Sequence, residues 1–109
     1  MRYAVFSDIH SNYPAFKVVL EDAIRNGFDA IINLGDIVGY GPNPNECIQA
    51  LSAYPNSAIA GNHDWGAIGK ADLHIFNRDA RQALDWTESE LTPQNRNLLT
   101  SLPVKKPMP

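Results

Sequence analysis

The stretch Tyr3-Ala4-Val5-Phe6-Ser7-Asp8-Ile9-His10 decides how this chain is organised. Its apolar residues predict a short buried strand over Arg2–Ser7, which polar residues end at once. Residues two positions apart in an extended segment point to the same side, so we expect Asp8 and His10 to converge. A carboxylate oxygen beside an imidazole nitrogen suits a divalent transition metal. For Asp8 and His10 taken alone, the alternative to a metal site is an aspartate that caps a helix and a histidine on the surface.

The pattern of a short strand followed by polar residues occurs twice more along the chain. The second predicted strand is Ala30–Leu34, and Gly35-Asp36 closes it. The third is Ser57–Ala60, and Gly61-Asn62-His63-Asp64 follows it. Each is short and apolar, as expected of strands in a buried parallel sheet.

Helices are predicted to connect these strands. The first runs from a cap at Asn12 or Tyr13 to Gly27, with Pro14 in its first turn. Asn43-Pro44-Asn45-Glu46 predicts the start of the second, with a cap, a first-turn proline and a capping-box glutamate. Two more helices are predicted beyond the third strand, over Asn77–Thr87 and from Thr92-Pro93 to Pro103.

Apolar residues recur at helical spacing in two of these helices and predict their buried sides. In the first helix they are Phe16, Val19, Leu20, Ala23 and Ile24. In the helix over Asn77–Thr87 they are Ala80, Ala83, Leu84 and Trp86.

The alternation of strands and helices predicts an α/β fold with a parallel βαβαβ sheet and right-handed crossovers, followed by C-terminal helices. In such sheets functional groups gather beyond the carboxyl ends of the strands. All three polar clusters follow strand ends, so we expect Asp8, His10, Asp36, Asn62 and His63 at one edge. Capping alone is a poor explanation for three such loops.

Length, composition and charge restrict the classes of protein to which this chain can belong. The chain has 109 residues, of which 44% are hydrophobic, so one small domain or part of a larger one is expected. A net charge of −3 gives no electrostatic footprint for nucleic acid or an anionic membrane. Cys47 is the single cysteine, which fits a reducing compartment. With no stretch that resembles a signal peptide or a membrane span, a soluble cytoplasmic protein is expected.

The expected cluster can perform metal-assisted chemistry. Two metal ions bridged by Asp36 would position a hydroxide, lower its pKa and clamp the oxygens of a phosphoryl group. His63 is the natural general acid for the leaving oxygen. Asp64 either orients that imidazole or caps a helix. Asn12 either contacts a phosphate oxygen or caps the first helix, and the cap is favoured.

The residues in these clusters resemble a known family. Asp8-Ile9-His10, Gly35-Asp36 and Gly61-Asn62-His63-Asp64 resemble, in order, the first three motifs of calcineurin-like metallophosphoesterases. Two further stretches are similar to its small prokaryotic branch of predicted phosphodiesterases and diadenosine-tetraphosphatase-like proteins. They are Asp36-Ile37-Val38-Gly39-Tyr40-Gly41-Pro42-Asn43-Pro44, and Phe76-Asn77-Arg78-Asp79-Ala80-Arg81 with Trp86-Thr87. The resemblance covers nearly the whole chain.

The resemblance implies a role for each matching residue. Asp8, His10 and Asp36 would hold the first of two divalent ions, which could be manganese, iron, nickel, cobalt or zinc. Asp36 and Asn62 would hold the second, and His63 would assist the leaving group. The implied substrates are small phosphate esters or phosphoproteins, hydrolysed as monoesters or diesters.

The resemblance also implies that this chain is incomplete. Family members form a four-layer αββα sandwich of two sheets, whereas strands for only one sheet are predicted here. Residues 1–109 are therefore expected to be the N-terminal part of a single domain. Family members continue with Gly-His and Gly-His-x-His motifs that complete both metal sites, and no histidine follows His74 here.

This departure leaves two hypotheses open. The chain is either part of a phosphoesterase or a non-catalytic metal-binding or assembly module that retains the fold. In both cases one face of the sheet is expected to be uncovered. An uncovered apolar face favours pairing with another copy or with a C-terminal half.

Overall fold

A computed structural model describes residues 1–107, and its helices and strands alternate through the first half of the chain. In order they are β1 (Tyr3–Phe6), α1 (Tyr13–Asn26), β2 (Ala30–Asn33), α2 (Pro44–Ser52), β3 (Asn56–Ala58), α3 (Asn62–Ala67), α4 (Arg78–Glu90) and α5 (Pro93–Ser101), with a short 3-10 helix at Leu73–Ile75 before α4. The longest helix, α1, has 14 residues, and within residues 1–107 no helix could span a bilayer.

The three strands form one parallel sheet in the order β1-β2-β3, which confirms the predicted α/β class. In the register, Ala4 pairs with Ile31, and Ile31 pairs in turn with Asn56. The third strand ends two residues earlier than predicted. Beyond it, Ile59 still donates its backbone N–H to the carbonyl of Asn33 at 3.1 Å, and Ala60 donates to the carbonyl of Pro103 at 2.7 Å on the opposite edge.

Side chains at the starts of the helices explain where α1 and α2 begin. Asn12 caps α1, since its Oδ1 accepts the N–H of Ala15 at 3.2 Å. At α2 the predicted capping box is wrong at its first residue. Asn43 makes no cap hydrogen bond, because its Nδ2 donates to the Glu46 carboxylate at 3.1 Å.

The core lies on the face of the sheet that α1 and α2 cover. Both crossovers lead to the next strand in the same direction, so both helices pack on one side. Phe6 of β1 meets Phe16 of α1 edge to face, with ring centroids 5.2 Å apart. The fully buried members of the core include Ile31, Ile37, Ile48, Leu84 and Leu99.

Two predicted apolar faces are only partly buried. In α1, Val19 and Ile24 are exposed, because the helix covers the edge strand β1 and buries only Phe16 and Leu20. In α4, Trp86 is 43% exposed. The buried side of α4 instead consists of Ala80, Leu84 and Thr87.

The other face of the sheet is partly uncovered. Val5 and Ile32 pair across β1 and β2, and side chains alternate along strands, so both point away from α1 and α2. Leu34 continues this face beyond β2. Val5 and Leu34 are 57% and 51% exposed. Ile32 is only 7% exposed, so the expectation of an uncovered sheet face holds only in part, and we call Val5 and Leu34 the open face.

We expect the open face to make this chain self-associate, because exposed apolar patches favour association. Light scattering across a concentration series should show an apparent mass that rises with concentration. Val5→Lys combined with Leu34→Lys should shift the association to higher concentration. Val18→Lys is the matched control, since Val18 is 64% exposed on α1, away from this face. A monomer at every concentration would contradict the prediction.

Candidate metal centre

The loops after β1 and β2 are joined by backbone hydrogen bonds at the carboxyl edge of the sheet. Asp8 donates its N–H to the carbonyl of Gly35 at 3.0 Å, and His10 donates to Asp36 at 3.0 Å. Ser11 donates to Ile37 at 2.9 Å. Three successive contacts of this kind fix one loop against the other. As a result, the side chains of both loops share one edge of the sheet, as the sequence predicts.

Asp8, His10 and Asp36 form a group that could hold a metal ion. Each of the three residues offers one ligand atom, and these three atoms all lie within 4.8 Å of one another. Asp8 Oδ1 and His10 Nε2 are 3.4 Å apart. Two carboxylates and one imidazole are a donor set that divalent transition metals accept, so the residues fit the implied ion.

The backbone reason given for the convergence of Asp8 and His10 is wrong. Strand β1 ends at Phe6, and Asp8 and His10 are not extended. Their φ angles are +57° and +49°, in the left-handed region. The side chains meet through backbone with positive φ at both residues, a geometry that β alternation does not describe.

His10 has a defined orientation in this group. Its Nδ1 lies 3.1 Å from the carbonyl oxygen of Val38, which can only accept a hydrogen bond. In the neutral form of His10 the proton therefore belongs on Nδ1, and the lone pair of Nε2 faces Asp8. No sequence pattern indicates this contact, because it uses a backbone atom of a valine.

Ser7 supports Asp8 from the preceding position. Its Oγ donates to Asp8 Oδ2 at 2.5 Å. This hydrogen bond is the main reason that the pKa of Asp8 lies below its ordinary value, and the nearby His10 adds to the effect. A lowered pKa keeps Asp8 ionised, which is the form that binds a cation. The polar residue before Asp8 was the available sequence signal.

Asn62 and Asp36 share one hydrogen-bond donor. The backbone N–H of His63 lies 3.0 Å from Asp36 Oδ1 and 3.1 Å from Asn62 Oδ1. The two side-chain oxygens therefore lie on the same side of the first turn of α3.

His63 is packed among aromatic rings beside this group. Its ring centroid is 4.8 Å from each of those of His10, Tyr40 and Phe76. The side chain is buried, and Nδ1 has no hydrogen-bond partner. Burial lowers the pKa of His63, and the charge of Asp36 opposes that shift. Phe76 was not singled out for this role in the sequence, although it begins one of the stretches that resemble the family.

Asp64 binds backbone N–H groups rather than His63. Its Oδ2 accepts from Asp36 and Gly61 at 2.9 and 3.0 Å, and its Oδ1 accepts from Val38 at 3.1 Å. Of the two roles considered for Asp64, the geometry supports capping. Burial raises its pKa to about 6, and the three backbone donors oppose the rise. Asn12 likewise acts as a cap.

Two glycines permit the close approach of the loops. A Cβ at Gly61 would collide with the Asp36 carboxylate. At Gly39, where φ is +94°, a Cβ would come within 2.8 Å of His63 Nδ1. Both positions therefore require glycine for contacts within the site, in addition to backbone conformation.

Comparisons with known proteins agree with this geometry. A family model described as calcineurin-like phosphoesterase matches residues 1–106. An uncharacterized protein of Methanocaldococcus jannaschii is 45% identical over 101 residues, which make up 93% of this chain and 42% of that protein.

Two solved structures are similar in fold to most of this chain. A metallophosphoesterase from Sphaerobacter thermophilus has a TM-score of 0.78 and 44% identity, over 94% of this chain and 42% of that one. A hypothetical protein from Pyrococcus horikoshii OT3 has a TM-score of 0.81 and 26% identity, over 94% of this chain and 48% of that one. This chain thus spans less than half the length of each of these relatives.

Replacing Asp64 should destabilise the fold. Asp64→Asn leaves one oxygen for three N–H donors and turns an amide N–H₂ toward them, so we expect a loss of about 2–3 kcal/mol in the free energy of unfolding. Urea unfolding followed by circular dichroism measures it. Asp85→Asn, an exposed aspartate on α4, is the control and should change little. Equal effects of the two substitutions would contradict the role of Asp64.

Metal affinity should depend on the converging group. Asp8→Asn or His10→Ala should weaken Mn²⁺ binding at least about tenfold, because each removes a ligand atom or its charge. Isothermal titration calorimetry measures the affinity, and His74→Ala is the control because His74 is exposed outside the group. An unchanged affinity in Asp8→Asn would show that the ion binds elsewhere.

Proposed function

The chain belongs to the calcineurin-like phosphoesterase family, and we propose that it supplies the N-terminal metal-binding half of an enzyme that hydrolyses phosphate esters. The observation that carries the proposal is the convergence of Asp8, His10 and Asp36 within 4.8 Å. Residues 1–109 would then be the N-terminal part of one domain, consistent with their coverage of 42% of the Sphaerobacter thermophilus structure.

The proposed ligands divide between two ions. Asp8, His10 and Asp36 would hold the first, and Asp36 and Asn62 would hold the second. Bound divalent ions would lower the pKa of the attacking water and offset the charge of the phosphoryl group. Oxygen-rich donor sets with an imidazole accept manganese, and we propose Mn²⁺ as the first metal to test.

We propose that His63 gives a proton to the leaving oxygen. Its Nδ1 is buried without a hydrogen-bond partner, so Nε2 would carry the proton that is transferred. The ring is held by Tyr40 and Phe76, which limits its movement. A positioned general acid of this kind typically contributes 10²–10⁴-fold to a rate.

The half-site explains why this chain alone is expected to bind metal weakly. Catalytic sites generally use three or more protein ligands per ion and keep one position open. The proposed second site has only Asp36 and Asn62. The ligands it lacks would come from a C-terminal portion, or the open face would be covered by another copy of the chain. Substrates are proposed to be small phosphate esters or phosphoproteins.

The cytoplasm is the compartment that we propose for this protein. The only cysteine, Cys47, is buried in the core and free. Burial raises the pKa of its thiol to about 12, which keeps it protonated and unreactive. A free, protonated thiol is typical of proteins in a reducing compartment.

A non-catalytic module remains the second candidate, favoured by the small number of ligands in the second site. The number of metal ions bound per chain distinguishes the enzyme from the non-catalytic module. Two ions held tightly once a C-terminal half is supplied would support the enzyme. One weakly held ion under the same conditions would support the module.

A chimera offers a direct test of the proposed activity. Residues 1–106 would replace the matching 42% of the Sphaerobacter thermophilus metallophosphoesterase. With Mn²⁺ present, we expect the chimera to hydrolyse p-nitrophenyl phosphate or bis-p-nitrophenyl phosphate. His63→Ala should lower kcat by at least about 100-fold, because the leaving oxygen loses its proton donor.

His74→Ala is the matched control for this experiment and should leave kcat unchanged. If His63→Ala retains full activity, the proton-donor role is wrong. If the folded chimera binds two ions but hydrolyses neither compound, the proposed reaction itself is wrong.

A further inference from the structure

The connection between α3 and α4 brings a residue to the candidate metal centre from outside the three loops that follow strands. Phe76 lies in this connection, and its ring centroid is 4.8 Å from that of His63, with the ring planes inclined by 58°. Phe76 is buried in the core. The residues predicted for the site all come from the chain after β1, β2 and β3, so this contact adds a fourth segment to it.

The orientation of the His63 imidazole depends on ring contacts. A histidine in a functional site is commonly oriented by a hydrogen bond at the ring nitrogen that does not react. Within residues 1–107, however, no partner forms a hydrogen bond with the buried Nδ1 of His63. Gly39, whose Cβ would lie 2.8 Å from this Nδ1, brings no side chain to it. The rings of His10, Tyr40 and Phe76, each 4.8 Å away, therefore hold the imidazole in place.

Of these three rings, that of Phe76 is the most firmly fixed. His10 is a candidate metal ligand, and Tyr40 is 52% exposed, whereas Phe76 is 9% exposed. A buried ring in a close-packed interior has little room to change its rotamer, in contrast to a half-exposed one. Phe76 is therefore the neighbour best placed to limit the rotation of the His63 ring.

The backbone of Phe76 is held on both sides by helix ends. Its N–H donates to the carbonyl of Leu73 at 3.1 Å, which closes the short 3-10 helix. The next residue, Asn77, caps α4, since its Oδ1 accepts the N–H of Ala80 at 2.8 Å. Phe76 is thus the one extended residue between two hydrogen-bonded helix ends, and this fixes the point from which its ring projects.

Gly66 of α3 makes room for the ring of Phe76. A Cβ at Gly66 would lie 2.8 Å from Leu84 Cδ1 and 3.3 Å from Phe76 Cε2. Gly66 follows His63 by three residues on the same helix, so the two positions are neighbours on its surface. The packing of α3 against α4 therefore brings Phe76 against His63, and the fully buried Leu84 supports it from α4.

We propose that Phe76 is a positioning residue, which holds the His63 imidazole in the orientation needed to give a proton to the leaving oxygen. The proposal rests on the phosphoesterase function proposed above and adds a residue to its machinery. Phe76 has no group that can carry a proton or bind an ion, so it acts only through His63. Geometry of this kind matters for rate, because a misplacement of about 1 Å can cost about 100-fold.

The orientation of His63 can be measured without catalysis. The chain has three histidines, so a ¹H–¹³C spectrum with labelled histidine rings contains three sets of signals, and His63→Ala identifies one of them. Phe76→Leu should weaken the nuclear Overhauser effect between the His63 and Tyr40 rings, because the imidazole is then free to rotate. Phe16→Leu is the matched control, since Phe16 is equally buried but packs against Phe6. It should leave the effect unchanged.

Kinetics of the chimera separate positioning from a merely structural role. Phe76→Leu should lower kcat for p-nitrophenyl phosphate about tenfold and leave KM and the Mn²⁺ dissociation constant unchanged, because only proton transfer is affected. Phe16→Leu should leave kcat unchanged. In a chimera that already carries His63→Ala, Phe76→Leu should have no further effect on kcat, since the group that it positions is gone.

The outcomes separate this proposal from the function on which it rests. An unchanged kcat in Phe76→Leu, or an equal fall in kcat with and without His63, would overturn the positioning role. If Phe76→Leu does not fold, Phe76→Met, which also conserves volume, takes its place in both experiments. A folded chimera that hydrolyses nothing would overturn the proposed function, and the contact between the His63 and Tyr40 rings would still decide whether Phe76 orients the imidazole.

Discussion

The site depends above all on the buried carboxylate of Asp64. It accepts the N–H groups of Asp36, Val38 and Gly61, and thereby joins the loop after β2 to the start of α3. The bond to Val38 has a further effect, because the carbonyl of Val38 orients His10. A carboxylate is costly to bury unless several donors satisfy it, and here three backbone groups do so. One residue that need not touch an ion thus fixes the positions of residues from two different loops.

The loops also carry most of the unfavourable backbone conformations in the described chain. Residues other than glycine with positive φ are Asp8, His10, Ser11, Asp36 and Tyr40, and all belong to the loops after β1 and β2. Such conformations cost on the order of 1–3 kcal/mol each and persist only where surrounding contacts enforce them. The backbone hydrogen bonds between the two loops are those contacts. Strain of this kind, concentrated at three ligand candidates and their neighbours, is typical of a binding site.

The sequence predicted the location of the site better than its internal geometry. Parallel strands bring their carboxyl ends to one edge, so the positions of Asp8, Asp36 and Asn62 along the chain were enough to bring them together. The left-handed turn at Asp8 could not be read from composition, because aspartate and histidine adopt many conformations. The role of Asp64 depends on backbone groups of distant residues. Trp86 matched a helical apolar pattern, yet the core ends at Leu84 and Thr87, so pattern alone misplaced it.

The converging carboxylates connect the stability of the fold to cation binding. Asp8 and Asp36 each bring an acidic oxygen within 4.8 Å of His10, an arrangement in which like charges repel. Ser7 and the backbone donors offset part of that repulsion, and a bound cation would offset the rest. Because a cation binds the folded arrangement and not the unfolded chain, its binding energy adds to the stability of the loops. The same contacts that hold the loops in a strained conformation therefore also prepare the site for its ion.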